Sequence, residues 1–128
     1  MPDTKKHKLL IVDDEPLYLE MASDQLSVDF DILTAGSVDE ALALLKTNSV
    51  DAVLSDYRMT PKNGLVLLRH LTLTHHPALR VLITANSAAA LSDTEMKGVQ
   101  LDELADKPLA LEDFIPVLLK RLDSRTAS

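Results

Sequence analysis

Leu9-Leu10-Ile11-Val12-Asp13-Asp14-Glu15-Pro16 is the stretch that decides the fold class. Four apolar residues without alternation are too few for a buried helix and match a strand covered on both faces, as in a parallel sheet between helices. Pro16 has a fixed φ and no N–H, which suits the first position of a helix. The stretch therefore reads as strand, acidic loop and helix start in immediate succession. Two further apolar runs end the same way. Ala52 to Leu54 leads to Asp56, and Leu104-Ala105 leads to Lys107-Pro108. In open α/β sheets ligands bind outside the carboxyl ends of the strands, so charges collected there are candidate chemistry.

Outward from that stretch, short apolar runs alternate with segments of helical period, the sequence form of βα units repeated five times. The first helix is expected from Pro16 to about Val28 and the second strand over Phe30–Thr34. Ser37-Val38-Asp39-Glu40 reads as a capping box, followed by Val38, Ala41, Leu42 and Leu45 on one face. The third strand is expected over Asp51–Ser55. A helix opening near Gly64 should bury Leu65, Leu68 and Leu71 and end at His75-His76-Pro77. The fourth strand is expected over Leu79–Ile83, ending at Thr84, with a helix over Ser87 to about Lys97. Asp102 and Glu103 interrupt the fifth strand, which suits only an edge. The last helix is expected from about Leu111 to Leu122, kinked or loosened at Pro116. Residues 124–128 are expected to be a frayed tail on a core of about 7–123.

Composition bounds the function. The 128 residues, 46% of them hydrophobic, suffice for one domain with a covered sheet. Acids outnumber Lys and Arg by 20 to 13, giving a formal charge of -7, so no broad basic surface invites nucleic acid or an anionic membrane. There is no cysteine, hence no disulfide framework, and no apolar run nears the roughly 20 residues that cross a bilayer. A cytoplasmic protein is expected.

Asp13, Asp14 and Asp56 would bring up to three negative charges into one pocket, which is costly unless a cation shares it. Oxygen ligands without cysteine or histidine fit magnesium, or manganese, and disfavour zinc. A carboxylate can also attack phosphorus, and then needs positive charge and donors nearby, which Lys107 and Thr84 could supply. Each feature has an ordinary reading on its own: the Asp pair as a helix cap, Thr84 as a strand terminus, Lys107-Pro108 as a strand exit. Their combination is what points to a site. His75-His76 reads as solvated, and Asp102, Glu103 and Asp106 read as a solvated edge or a partner surface.

Val12-Asp13-Asp14-Glu15-Pro16, Asp56 with Met59 and Gly64 behind it, Thr84-Ala85 and Lys107-Pro108 together resemble the response-regulator receiver domain of two-component systems over nearly the whole chain. The resemblance implies a single flavodoxin-like domain spanning 1–128: five parallel strands in the order 2-1-3-4-5, doubly wound by five helices. It implies Asp56 as phosphoacceptor, with Asp13, Asp14 and the Arg58 backbone carbonyl as further magnesium ligands. Lys107 and Thr84 would contact the phosphoryl group. Arg58 and Asn86 would flank the attacking water and set the lifetime of the aspartyl phosphate. The implied donor is a histidine of a sensor kinase or of a histidine phosphotransfer protein. The implied output is contact with a downstream protein, an attached output domain or a phosphorylation-dependent homodimer.

Two departures stand out. Thr60 occupies the position where the family usually has proline, with Pro61 following, and Leu104 replaces the usual aromatic of the switch. They are the sequence support for an alternative, a constitutive interaction module of the same fold. A magnesium-dependent hydrolase ranks last, because Arg58 stands where such enzymes usually carry a second aspartate.

Overall fold

The computed structural model describes residues 6–59, 62–85, 97–106 and 111–127. Five strands form one parallel sheet in the order β2-β1-β3-β4-β5: β1 Lys8–Val12, β2 Asp31–Ala35, β3 Ala52–Asp56, β4 Leu79–Thr84 and β5 Glu103–Asp106. Among the described residues there are four helices: α1 Pro16–Leu26, α2 Val38–Thr47, α3 Gly64–Leu73 and α4 Leu111–Ala127. The helix expected over 87–97 lies almost wholly outside the described residues.

Alternation along each strand divides the core between the two faces. Leu10 and Val12 join Val53, Leu82 and the buried side of α2 and α3, including Ala41, Leu65 and Leu68. Leu9 and Ile11 join Leu54, Val81 and Ile83 on the other side, under Ala22 and Leu26 of α1 and Phe114, Leu118 and Leu122 of α4. Both faces of β1, β3 and β4 are therefore covered, which is why their sequences carry unbroken apolar runs.

Several boundaries move for local reasons. Phe30 is not the first residue of β2, because its N–H closes the turn after α1 onto the Leu26 carbonyl (2.9 Å). Asp51 precedes β3 and holds the start of β1, its Oδ2 accepting the Lys8 N–H at 2.8 Å. At α2, Ser37 Oγ accepts the Glu40 N–H at 3.1 Å as a capping box requires. The Glu40 carboxylate, however, accepts the N–H of Gly36 (2.7 Å), one residue further out than expected. The last helix is continuous through Pro116 and runs to Ala127, past the expected end at Leu122 and through the region expected to fray. Pro116 lies on the exposed side while Phe114, Leu118 and Leu122 are buried. Water can thus solvate the carbonyl that the proline leaves unbonded, and the buried stripe holds the axis.

Candidate functional site

Parallel strands deliver their carboxyl ends to one edge of the sheet, and four of the residues singled out above arrive there. Asp13 follows Val12, and its N–H continues the ladder to the Ala35 carbonyl (3.1 Å). Asp56 is the last residue of β3 and pairs with Ile83, next to Thr84 at the end of β4. Thr84 pairs in turn with Asp106, which immediately precedes Lys107. Lys107 and Asn86 themselves lie outside the described residues, as does Thr60.

Carboxylate oxygens of Asp13, Asp14 and Asp56 all lie within 4.8 Å of one another. The three differ in depth: Asp13 is buried, Asp56 half-buried and Asp14 exposed. Neither aspartate caps α1, whose N-cap is Glu15 without a side-chain cap bond; Asp13 Oδ1 instead accepts the Glu15 N–H at 2.9 Å, within the acidic loop. The helix-cap reading of the Asp pair therefore does not hold, and the Asp13 carboxylate serves to fix the loop that carries the cluster. Beside the cluster is a depression of about 360 Å³ lined by Asp14, Tyr57, Arg58, Met59 and Asn63. Arg58 is exposed and Met59 buried. The donor set is all oxygen, with no histidine or cysteine within the cluster. That composition fits a hard divalent cation and not zinc.

The turn after Asp56 depends on residues whose importance the sequence conceals. The Tyr57 N–H bonds the Ile83 carbonyl (3.0 Å), and the Tyr57 carbonyl accepts the N–H of Gly64 (2.8 Å). Asn63 caps α3, its Oδ1 accepting the N–H groups of Leu65 and Val66 at 2.9 and 3.3 Å. Ser55, fully buried, donates from Oγ to the Asp56 carbonyl (3.0 Å). Gly64 does more than open a helix. A Cβ there would overlap the Asp56 carbonyl oxygen and lie 2.8 Å from Ser55 Oγ. Glycine is thus required by the close approach of α3 to the backbone of Asp56. An Asn-Gly pair at a helix start was the one visible signal.

The sequence matches the response regulator receiver domain family over residues 9–118. The chain belongs to that family. Among curated relatives, the receiver is 32% identical over 111 residues to the transcriptional regulatory protein CpxR of Klebsiella pneumoniae. The match takes in 86% of this chain and 42% of CpxR, so the receiver spans less than half of that relative. Among solved structures, a CheY-like response regulator receiver domain protein from Methanospirillum hungatei superimposes with a TM-score of 0.86 at 19% identity, covering 96% of this chain and 98% of that one. The response regulator TrrA of Thermotoga maritima, solved in complex with magnesium and beryllium fluoride, gives 0.77 at 26% identity over 91% of this chain and 98% of its own.

Three expectations outside the acidic cluster need correction or refinement. Leu104 of β5 is half-buried and packs against the core shared by α2 and α3. The edge acids are not simply solvated: Asp102 Oδ2 accepts the Arg80 N–H (2.8 Å), and Glu103 pairs with Arg121 (2.7 Å). His76 is half-buried, and its Nδ1 accepts the Ala78 N–H at 3.1 Å. Burial lowers its pKa below the ordinary 6.5, with the positive Arg80 and the neighbouring His70 adding to the effect.

Proposed function

We propose that this receiver accepts a phosphoryl group on Asp56 from a phosphohistidine of a sensor kinase or phosphotransfer protein, and thereby changes its affinity for a protein partner or an output domain. The observation that carries the reading is the approach of the Asp13, Asp14 and Asp56 oxygens to within 4.8 Å of one another at the strand ends. Three carboxylates so close favour a shared cation. Asp13, Asp14, Asp56 and the Arg58 carbonyl would hold a magnesium or manganese ion. When bound, the ion offsets negative charge on the phosphoryl oxygens and on the carboxylates.

The chain's own part in the transfer follows from placement. A carboxylate oxygen of Asp56 attacks phosphorus, the bond from phosphorus to the donor imidazole breaks, and its electron pair returns to the ring nitrogen, which takes a proton from solvent. The product is an acyl phosphate on Asp56. Asp13, tied to the Glu15 N–H, fixes the acidic loop. The Thr84 hydroxyl and the Lys107 ammonium would donate to the phosphoryl oxygens. Hydrolysis reverses the modification: water attacks phosphorus, phosphate departs and the Asp56 carboxylate is restored. Arg58 and Asn86 would control access for that water. Leu104, already packed inward, would take part in the switch by a small displacement and not by the swing of a ring.

The test is intact mass after incubation with magnesium and acetyl phosphate, with Asp56→Asn as control. The expected result is one phosphoryl adduct, labile in base, on the wild type alone. Absence of an adduct, together with no magnesium-dependent binding of beryllium fluoride, would overturn the reading.

A further inference from the structure

A cleft lies at the other end of the sheet, away from the aspartates. It has a volume of about 860 Å³ and crosses the starting ends of β4 and β5, between the loop after α3 and the outer half of α4. That volume lies within the range of small-molecule sites. Its chemistry runs against the charge of the whole chain. Arg80 and Lys120 line it, with His75, His76 and an Arg121 already paired with Glu103, against one acid in the lining, Asp102.

Arg80 is the decisive residue. Its side chain is held in β4 with only 7% of the residue exposed. Nη2 donates to the carbonyls of Leu71, in the last turn of α3, and of His76, in the turn after it, at 3.2 and 2.7 Å, which fixes the guanidinium plane. Nε, fully buried, has no hydrogen-bond partner among the described residues. The nearby carboxylate of Asp102 is engaged with the backbone N–H of Arg80. Buried cations are ordinarily matched by an anion, and an unsatisfied buried donor is costly. Nε is sealed from solvent and cannot itself meet a ligand. A guanidinium held in plane by neutral oxygens nevertheless keeps its positive charge uncompensated at the cleft wall and favours an oxyanion beside it. Apolar surface lies alongside: Pro77 and Val117 are exposed in the same cleft, and Ala78 and Leu79 form its buried wall.

We propose that this cleft is a second ligand site, taking a small organic anion whose carboxylate or phosphoryl oxygens pair with Arg80 and whose apolar body lies against Pro77 and Val117. Lys120, exposed on α4, supplies further attraction at the rim. The site is separate from the phosphoacceptor, so its occupancy needs neither magnesium nor Asp56.

The experiment is a titration of the full chain with phenylphosphonate in the presence of EDTA, followed by ¹H–¹⁵N NMR of the Arg80 Nε–H and the Gln100 amide. The expected result is saturable shifts of both signals, unchanged in Asp56→Asn. Lys120→Glu should weaken binding about tenfold, and Arg80→Gln should abolish it. Because Arg80→Gln also removes the bonds to the Leu71 carbonyl of α3 and the His76 carbonyl of the following turn, Lys120→Glu decides the matter if that variant does not fold. Inorganic phosphate should bind more weakly than phenylphosphonate, and equal affinity would overturn the apolar part of the site. Shifts that do not saturate, that are the same in Lys120→Glu, or that disappear in Asp56→Asn would overturn the proposal.

Discussion

Replacing Gly64 by alanine tests whether the backbone of Asp56 is held in place by its contact with α3. The added methyl has nowhere to go: it would overlap the Asp56 carbonyl oxygen, with the Asp56 carbonyl carbon 3.1 Å and Ser55 Oγ 2.8 Å away. Two of these three atoms are backbone, so relief requires moving either β3 or the start of α3. Forced overpacking costs about 1–3 kcal/mol, and an obstacle made of backbone belongs at the upper end. Alanine returns less than about 1 kcal/mol through helix propensity. The net loss is about 2 kcal/mol, which for a chain of this size lowers Tm by roughly 8 °C. Gly36→Ala is the matched control, because a Cβ there meets only the flexible end of Glu40 at 3.4 Å, so it should cost less than about 0.5 kcal/mol. Adding Ser55→Ala to Gly64→Ala should restore little, since the backbone overlap persists. Thermal unfolding with and without magnesium measures both effects, and the Gly64→Ala protein should also gain less Tm from magnesium. Wild-type stability and an unchanged magnesium response in Gly64→Ala would refute the reasoning.

Other perturbations separate the remaining roles. Asp13→Asn keeps an oxygen for the Glu15 N–H but removes one of three clustered charges. It should therefore weaken magnesium binding at least about tenfold while stabilising the metal-free protein by roughly 1 kcal/mol, both readable by titration calorimetry and denaturant unfolding. The lowered pKa of His76 means that the unfolded chain binds its proton more readily. Its contribution to stability is complete above pH 6.5 and is lost as pH falls through the folded-state value. The drop in Tm between about pH 7.5 and about pH 5 should accordingly be smaller in His76→Gln than in the wild type. Arg58→Ala should dephosphorylate faster, because the exposed Arg58 side chain lines the depression beside Asp14 and can cover the acyl phosphate. An unchanged or slower rate by intact mass would count against that role.

The strands that were legible in the sequence are those buried on both faces. Leu9 to Val12 and Leu79 to Ile83 could be nothing else once their length excluded a helix. β5 is less distinct in sequence because Asp102 and Glu103 break its apolar run, the one to bond the Arg80 N–H of β4 and the other to pair with Arg121 of α4. The three aspartates were legible because each directly follows a strand. In the sequence Gly64 shows only as a helix opener, since its close approach to Asp56 belongs to tertiary packing and leaves no periodic trace. The partial burial of His76 is hidden for a related reason: its neighbours Pro77 and Ala78 suggest a solvated loop, whereas the turn after α3 is tied to β4 through the Ala78 N–H and the Arg80 side chain. Pro116 pointed to a weakened helix, but the buried Phe114, Leu118 and Leu122 outweigh one missing backbone bond.

β4 is bonded on both sides and β5 on one, with Thr84 and Asp106 in register across the last rung. In mechanical terms the sheet is stiff on the side of β3 and compliant on the side of β5. A pull on Thr84 that bent β3 would strain a central strand whose two neighbours resist together, whereas the same pull is relieved by yielding of a four-residue edge strand. Displacement originating at the aspartates should therefore leave the molecule along β5 and the Glu103–Arg121 link into α4, and the stiffness of the other strands keeps Asp56 stationary while it does so.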